Sequence, residues 1–468
     1  MKKFSFKAVA LAASFIASGA AFAAQDLDAA TATPAKYASE VKINATTGTD
    51  LQAGVAADLA ATAKLGASFG NDVTAYVRFD LSSGKFKGAP TFAINDSAAA
   101  AASVSISQGG DGASYVIFAV TPTAGNKLLG TTVGTFAPHA NGITVKDQTS
   151  ITAQYRLFET LTAAVNPSST NTLKNVSASY IAFASSLKTV FTAATQTADV
   201  EKSPAYSDFV VAGKKKLADV AITLTGNAIP AGTALTAATL LDTKNVITVT
   251  GDFTGLKAAA DEDYTNAKAR LTLETGSCAG GAVNATSVNA TTGTFGNGSS
   301  SLTAAQLLAA GSLCYTPAGD VEIQAGSFTA DVTYVANSGY AVSNSTGNAA
   351  GTIVRNGTTL VAPITNQPTG WYSRLVLNNT GSQDRTYTVK AVSETGNVIT
   401  LSGAAASGTL TKNSSKVVDL QTLVTAVGGL PRYSLVVTIN APSGTINGAY
   451  QIANGTTGMI SNYALIAK

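Results

Sequence analysis

The sequence predicts an all-β protein built from several β-sandwich, immunoglobulin-like domains with a few short helices. Three observations carry this. Period-two alternation of apolar and polar residues recurs along the chain, the intervening segments are rich in Gly, Asn, Ser and Thr, and helix-period runs are short and few. With 468 residues the chain is too long for one ordinary core, so two to four domains are expected.

The first clear strand is Val73–Leu81, where Val73, Ala75, Val77, Phe79 and Leu81 alternate with Thr74, Tyr76, Arg78 and Asp80. Val220, Ile222 and Leu224 repeat the pattern, and Val246, Ile247 and Val249 do so with one slip. Further strands are read at Leu271–Leu273, Val332–Val335, Leu375–Leu377, Tyr387–Val389 and Leu435–Ile439. Asn141-Gly142, Asn356-Gly357, Asn447-Gly448 and Asn454-Gly455 are hairpin signals, because both residues tolerate positive φ. Short helices are expected at Ala56–Lys64, Ala259–Ala267, Thr303–Ala310 and Asp419–Val427, the last ended by Gly428-Gly429.

The expected organisation is a leader at 1–23, then β-rich domains at 24–150, 151–227 and 228–362, the third holding both cysteines. A C-terminal β-sandwich at 363–468 follows. The break near Ala362-Pro363 and Gln367-Pro368 precedes the single tryptophan, Trp371.

Lys2, Lys3 and Lys7 precede an apolar stretch, Ala8–Ala17, and a small-residue segment ending Ala21-Phe22-Ala23. That order reads as a signal peptide cut between Ala23 and Ala24. The apolar part is short of the ~20 residues that cross a bilayer, and no later segment qualifies as a transmembrane helix. Without the leader, 30 Lys+Arg become 27, equal to the 27 Asp+Glu. Balanced charge removes long-range repulsion between copies, and the lack of a basic stripe argues against nucleic acid as a partner. Ordinary composition bias and a self-associating surface fit this balance equally well.

Cys278 and Cys314 in an exported chain are expected to pair. An outer-membrane barrel is disfavoured, because only 7% of residues are aromatic and the chain ends without a terminal aromatic.

Catalytic patterns are isolated. Gly66-Ala67-Ser68-Phe69-Gly70 matches an esterase elbow, with His139 downstream, but a strand follows it where the chemistry needs a helix. Ser185-Ser186-Leu187-Lys188 matches S-x-x-K without its partner motifs. A single histidine gives no metal spacing of the transition-metal kind. Asp261-Glu262-Asp263 is the best calcium candidate, set against a plain solvated acidic turn, which is preferred. Lys214-Lys215-Lys216 reads as a solvated turn, with anionic lipopolysaccharide as the alternative partner. Asn44, Asn284, Asn289 and Asn356 open N-x-S/T triplets that carry little weight in a chain of this composition.

Ser373-Arg374-Leu375-Val376-Leu377-Asn378-Asn379-Thr380 resembles the opening of a β-sandwich module of exported surface proteins. Ser434–Pro442 resembles one of its later strands. With the leader and the Ala/Thr/Ser/Gly bias, the chain resembles the surface-layer proteins of Gram-negative bacteria. That resemblance implies a crystalline or filamentous coat of identical subunits, often held by calcium and glycan contacts. This chain departs from the more acidic, calcium-rich members.

The expected function is therefore a self-assembling structural protein of the cell surface, outside the outer membrane, with its own copies as partner and no catalysis. The alternative is a surface-displayed adhesin or glycan-binding protein, for which Trp371-Tyr372 is the candidate platform. As a plainer role, that pair is expected to seed the C-terminal core.

Overall fold

The computed structural model describes residues 24–54, 58–95, 102–123, 125–279, 283–296, 302–365, 367, 370–393, 398–403, 406–427 and 432–468. The leader and most of the expected cleavage site lie outside them. The protein is all-β, and its chain divides into two compact units. One comprises 1–188, 223–242 and 335–343, and the other 189–222, 243–334 and 344–468.

The first unit holds three sheets around one core. Its six-stranded sheet runs in the order Ala35–Ala38, Lys174–Ala184, Ile151–Phe158, Ala75–Leu81, Tyr115–Pro122 and Ala102–Gly109. Position 150 lies one residue before a central strand, so the sheet takes strands from both sides of it. Ala75–Leu81 alternates buried and half-buried along its whole length, as its period-two sequence requires. Phe79 stacks on Phe136 with ring centroids 4.3 Å apart and meets Tyr155 edge-on at 5.4 Å. The Phe79–Phe136 contact joins the large sheet to the four-stranded one that contains Phe136. Ala61–Lys64, where a helix was expected, is a strand of that sheet and pairs with Val133–Phe136. Its residues alternate Ala and Thr or Lys, and burial of Ala61 and Ala63 against a core outweighs alanine's helix propensity.

The second unit begins with two sheets that include Lys215–Leu224, Val246–Thr250, Leu271–Glu274, Ser312–Tyr315 and Gly326–Thr333. Phe253 and Phe328 pack 5.3 Å apart in this part, with Tyr315 edge-on to Phe209. Thr303 caps the helix Ala304–Ala309, and Gln306 returns the bond, which is the capping box its sequence spells. The segment Ala259–Ala267 is mostly turn and runs into a short 3-10 helix, Asn266–Arg270.

The C-terminal part of this unit is a sandwich of two antiparallel sheets. One runs Ser407–Leu410, Arg385–Ser393, Tyr433–Pro442, Gly357–Thr365 and Ile466–Ala467. The other runs Ser414–Asp419, Trp371–Asn379, Ile446–Asn454 and Ile460–Ala464. Leu375, Leu377, Val389, Leu435, Val437 and Ile439 form the heart of the shared core. The helix expected at Asp419–Val427 is one turn, Leu420–Leu423, capped by Asp419 and followed directly by strand.

Of the four hairpin signals, Asn454-Gly455 lies in a hairpin, between Ile446–Asn454 and its partner Ile460–Ala464. Asn447-Gly448 sits inside a strand. A Cβ on Gly448 would lie 2.6 Å from Leu465 Cδ1, so the glycine there serves close packing across the sandwich. Asn141-Gly142 and Asn356-Gly357 join strands of different sheets.

Candidate functional site

The candidate site lies at one end of the C-terminal sandwich. Gly357–Thr365 alternates correctly as far as Ala362, then shifts register so that Pro363 and Ile364 face outward and Thr365 returns inward. Thr365 Oγ1 donates to the Tyr433 carbonyl at 2.7 Å and anchors the far side of this bulge. The outer neighbour of this strand is short. Ile466–Ala467 pairs with Val361 and Leu360, and the Lys468 N–H reaches the Thr359 carbonyl at 3.0 Å. Beyond Val361 the sheet has no outer strand among the described residues.

On the opposing sheet, the last strand is Ile460–Ala464, exposed at every residue. Its hairpin is held by Asn454, whose side-chain oxygen accepts the N–H groups of Thr456 and Thr457 at 2.9 Å each. Gly458, at φ +69°, closes the turn by donating to the Asn454 carbonyl at 3.0 Å. Tyr463 stacks on Tyr450 at 6.0 Å with a 23° tilt between the rings, yet remains 58% exposed among the described residues.

Between the two sheets this leaves an open groove of about 910 Å³. Its walls include Pro363, Ile364, Trp371, Tyr450, Ile452 and Tyr463, with Ser461 and Asn462 at the edge. No lining residue among those described carries a charge. Met459 and Ile364 extend the apolar surface, each more than 60% exposed, while Ile460, beside Ala453 and Tyr372, and Ile466, beside Val361, are exposed on the outer faces of their sheets. The groove offers flat aromatic faces, aliphatic walls and hydrogen-bonding edges.

Trp371 and Tyr372 are not part of the C-terminal core cluster. Strand alternation splits the pair. Trp371 is half-buried in the groove wall, and Tyr372 faces outward. The core is seeded instead by Leu375 and Leu377 farther along the same strand.

The other sequence-derived candidates are scattered. Cys278 and Cys314 are joined, with Cα atoms 5.8 Å apart, tying a turn to the strand Ser312–Tyr315. Asp261 accepts from Asn266 Nδ2 at 2.7 Å and lies 3.6 Å from the Arg270 guanidinium. Asp263 caps its own turn through the Thr265 N–H at 2.8 Å, which holds its carboxyl below the usual range. Glu262 is exposed. Among the described residues, no three His, Cys, Asp or Glu side chains are grouped to hold a metal ion.

Ser68 Oγ accepts the Gly130 N–H at 2.9 Å in a bridge segment, and His139 Nδ1 accepts from Asn141 in a turn. No hydrogen bond among the described residues joins the two. Ser185 Oγ donates to Glu40 Oε1 at 2.9 Å, and the same carboxylate oxygen takes the N–H groups of Ser186 and Leu187. Ser185, itself exposed, is thus one of three donors that clamp the buried Glu40 carboxylate. Lys214 pairs with Glu274 and Lys216 with Asp219, so two of the three ammonium groups in the basic run are committed within the chain. Asn44 and Asn289 close their own turns, Asn284 lies on a strand, and Asn356 bonds Val200 N–H and Asp199.

Sequence reasoning missed the groove because its walls come from segments some 100 residues apart. The uncharged run Met459–Ala467 was the available signal.

No protein-family model and no curated protein matches the chain. Among solved structures, a Corynebacterium diphtheriae protein described as membrane anchored aligns with 91% of this chain and 88% of its own, at 9% identity and a TM-score of 0.16. The S-layer protein rSbsC, residues 31–844, aligns with 83% of this chain and 54% of its own, at 12% identity and a TM-score of 0.09. The chain therefore spans about half of that S-layer protein. At these TM-scores neither comparison transfers a fold or a function.

Proposed function

We propose that this chain is a non-catalytic, self-assembling structural protein of the bacterial cell surface. The observation that carries the proposal is the uncharged, apolar open end of the C-terminal sandwich, with its fully exposed edge strand Ile460–Ala464. Soluble monomers guard such edges with charge, proline or a covering loop. Here a row of apolar side chains borders an unpaired strand, on a chain whose charges balance once the leader is removed. The leader and the disulfide agree with an exported protein. Lipopolysaccharide contact through Lys214–Lys216 would have to compete with Glu274 and Asp219.

The test is electron microscopy of the purified mature chain at rising concentration, and of intact cells. Ordered sheets or filaments support the proposal, and a chain that stays monomeric at high concentration overturns it.

The second reading, a glycan-binding surface protein, is favoured by one observation. Trp371, Tyr450 and Tyr463 line one groove together with Ser461 and Asn462, which suits a neutral sugar with apolar faces and hydroxyl edges. Saturable binding of neutral oligosaccharides, lost in Tyr463→Ala, by a protein that never assembles would favour it.

A further inference from the structure

We infer that the edge strand Ile460–Ala464 pairs antiparallel with the same strand of a second copy, about a two-fold axis passing beside Asn462. The inference takes its partner from the self-assembly reading above and adds the surface and the register.

The direction of the strand's backbone groups comes from its own hairpin. The Met459 carbonyl accepts the Asn454 N–H at 2.8 Å, and the Leu465 N–H donates to the Gly448 carbonyl at 2.9 Å. Backbone groups alternate sides along an antiparallel strand, so residues 459, 461, 463 and 465 bond inward. Ile460, Asn462 and Ala464 therefore turn their N–H and C=O groups outward, where no strand follows in this sheet. A dyad at Asn462 sets Ile460 against Ala464 of the other copy, and Asn462 against itself. Every outward donor and acceptor of both strands is then used, with none left over.

A two-fold axis also brings like residues together, so a charged edge would repel its own copy. From Met459 to Ala467 there is no charged residue. On the groove side, Tyr463 would face Ser461 of the second copy, and the two open grooves would become continuous. That covers the exposed face of Tyr463 and the Met459 rim, while Ile460 meets Ala464 of the second copy on the outer face of the sheet. A five-residue strand pair alone buries less than the roughly 1,000 Å² that a lasting interface needs. The groove residues Ile364 and Trp371 add to it, and the pair is expected to be weak in dilute solution and reinforced by further contacts in an array.

The test uses the full mature chain with Asn462→Cys. Hydrogen-bonded antiparallel partners have Cα atoms about 5.5 Å apart, inside the range a disulfide spans. Mild oxidation should give a dimer on a non-reducing gel, in several-fold excess over the exposed control Thr47→Cys. Asn462→Pro is the second variant. Its N–H points away from the strand's own ladder, so the fold should melt as before while association is lost. Crosslinking no greater than the control, or association undiminished in Asn462→Pro, overturns the inference. Arrays that form equally well in Asn462→Pro remove this pairing and leave the coat standing. Crosslinked dimers that never extend leave the pairing standing and remove the coat.

Discussion

Lys214 Nζ donates to Glu274 Oε1 at 2.6 Å, and the carboxylate it holds is fully shielded from solvent. Glu274 ends the strand Leu271–Glu274, and Thr272 Oγ1 donates to the same oxygen at 3.0 Å. A buried carboxylate that loses its cation keeps its desolvation cost without the compensating attraction. Lys214→Met should therefore destabilise the protein by about 2–3 kcal/mol in denaturant unfolding. Adding Glu274→Met should recover most of that loss. An unchanged midpoint in the single variant would show that the ion pair is energetically idle.

The Cys278–Cys314 bond closes a loop of sequence separation 36. On the chain-entropy estimate, a loop of that size is stabilised by about 4 kcal/mol through its constraint on the unfolded chain. The double variant Cys278→Ser, Cys314→Ser should lower the unfolding midpoint of the second unit. Alkylation of the native protein under denaturing, non-reducing conditions should label neither cysteine. Labelling of both would mean that the chain carries free thiols.

Buried tyrosines set the alkaline limit of stability. Tyr433 is pushed up to about 12 by burial of its ring, and burial also raises Tyr37, Tyr155 and Tyr315 above the ordinary value near 10. Each is neutral when protonated, and its folded-state value lies above the unfolded one. Stability is therefore fully present below about pH 10 and is lost as the pH rises from about 10 toward 12. Thermal melting should be level through neutral pH and fall in that window, with tyrosinate absorbance rising together with unfolding. Tyrosines that all titrate near 10 while near-UV dichroism stays native would contradict this burial.

The strands at 75–81, 375–377 and 435–439 were legible because one face of each meets a core and the other is more open, which writes period two into the sequence, whereas Leu271–Glu274 is buried on both faces. Ala61–Lys64 was not, since small alanines fit either pattern and only the facing Val133–Phe136 decides between them. The Asn-Gly pairs misled for a related reason. A glycine is demanded by a tight turn and equally by a crowded strand, as at Gly448 against Leu465. The open groove depends on where the outer strand Ile466–Ala467 stops, which is a property of sheet order. The absence of charge from Met459 to Ala467 marked the segment without saying what it would border.

The response of assembly to salt and to chelator separates apolar contact from ionic contact. Residues 24–468 carry 27 Lys+Arg and 27 Asp+Glu, so moderate salt has little net repulsion or attraction to screen. At ~0.15 M, screening weakens interactions longer than about 8 Å and leaves short apolar and backbone contacts in place. Arrays should therefore persist at that ionic strength, and added sulfate should strengthen them. Calcium bridging through Asp261, Glu262 and Asp263 would have to compete with Asn266 and Arg270 for Asp261, and with the Thr265 N–H for Asp263. A chelator should accordingly have a small effect at most, measured by sedimentation of the arrays. Ile460→Lys should act far more strongly, because it sets a cation on the uncharged edge strand where the second copy pairs. Dissolution by chelator with Ile460→Lys arrays intact would transfer the assembly contact from the open sandwich edge to the acidic turn.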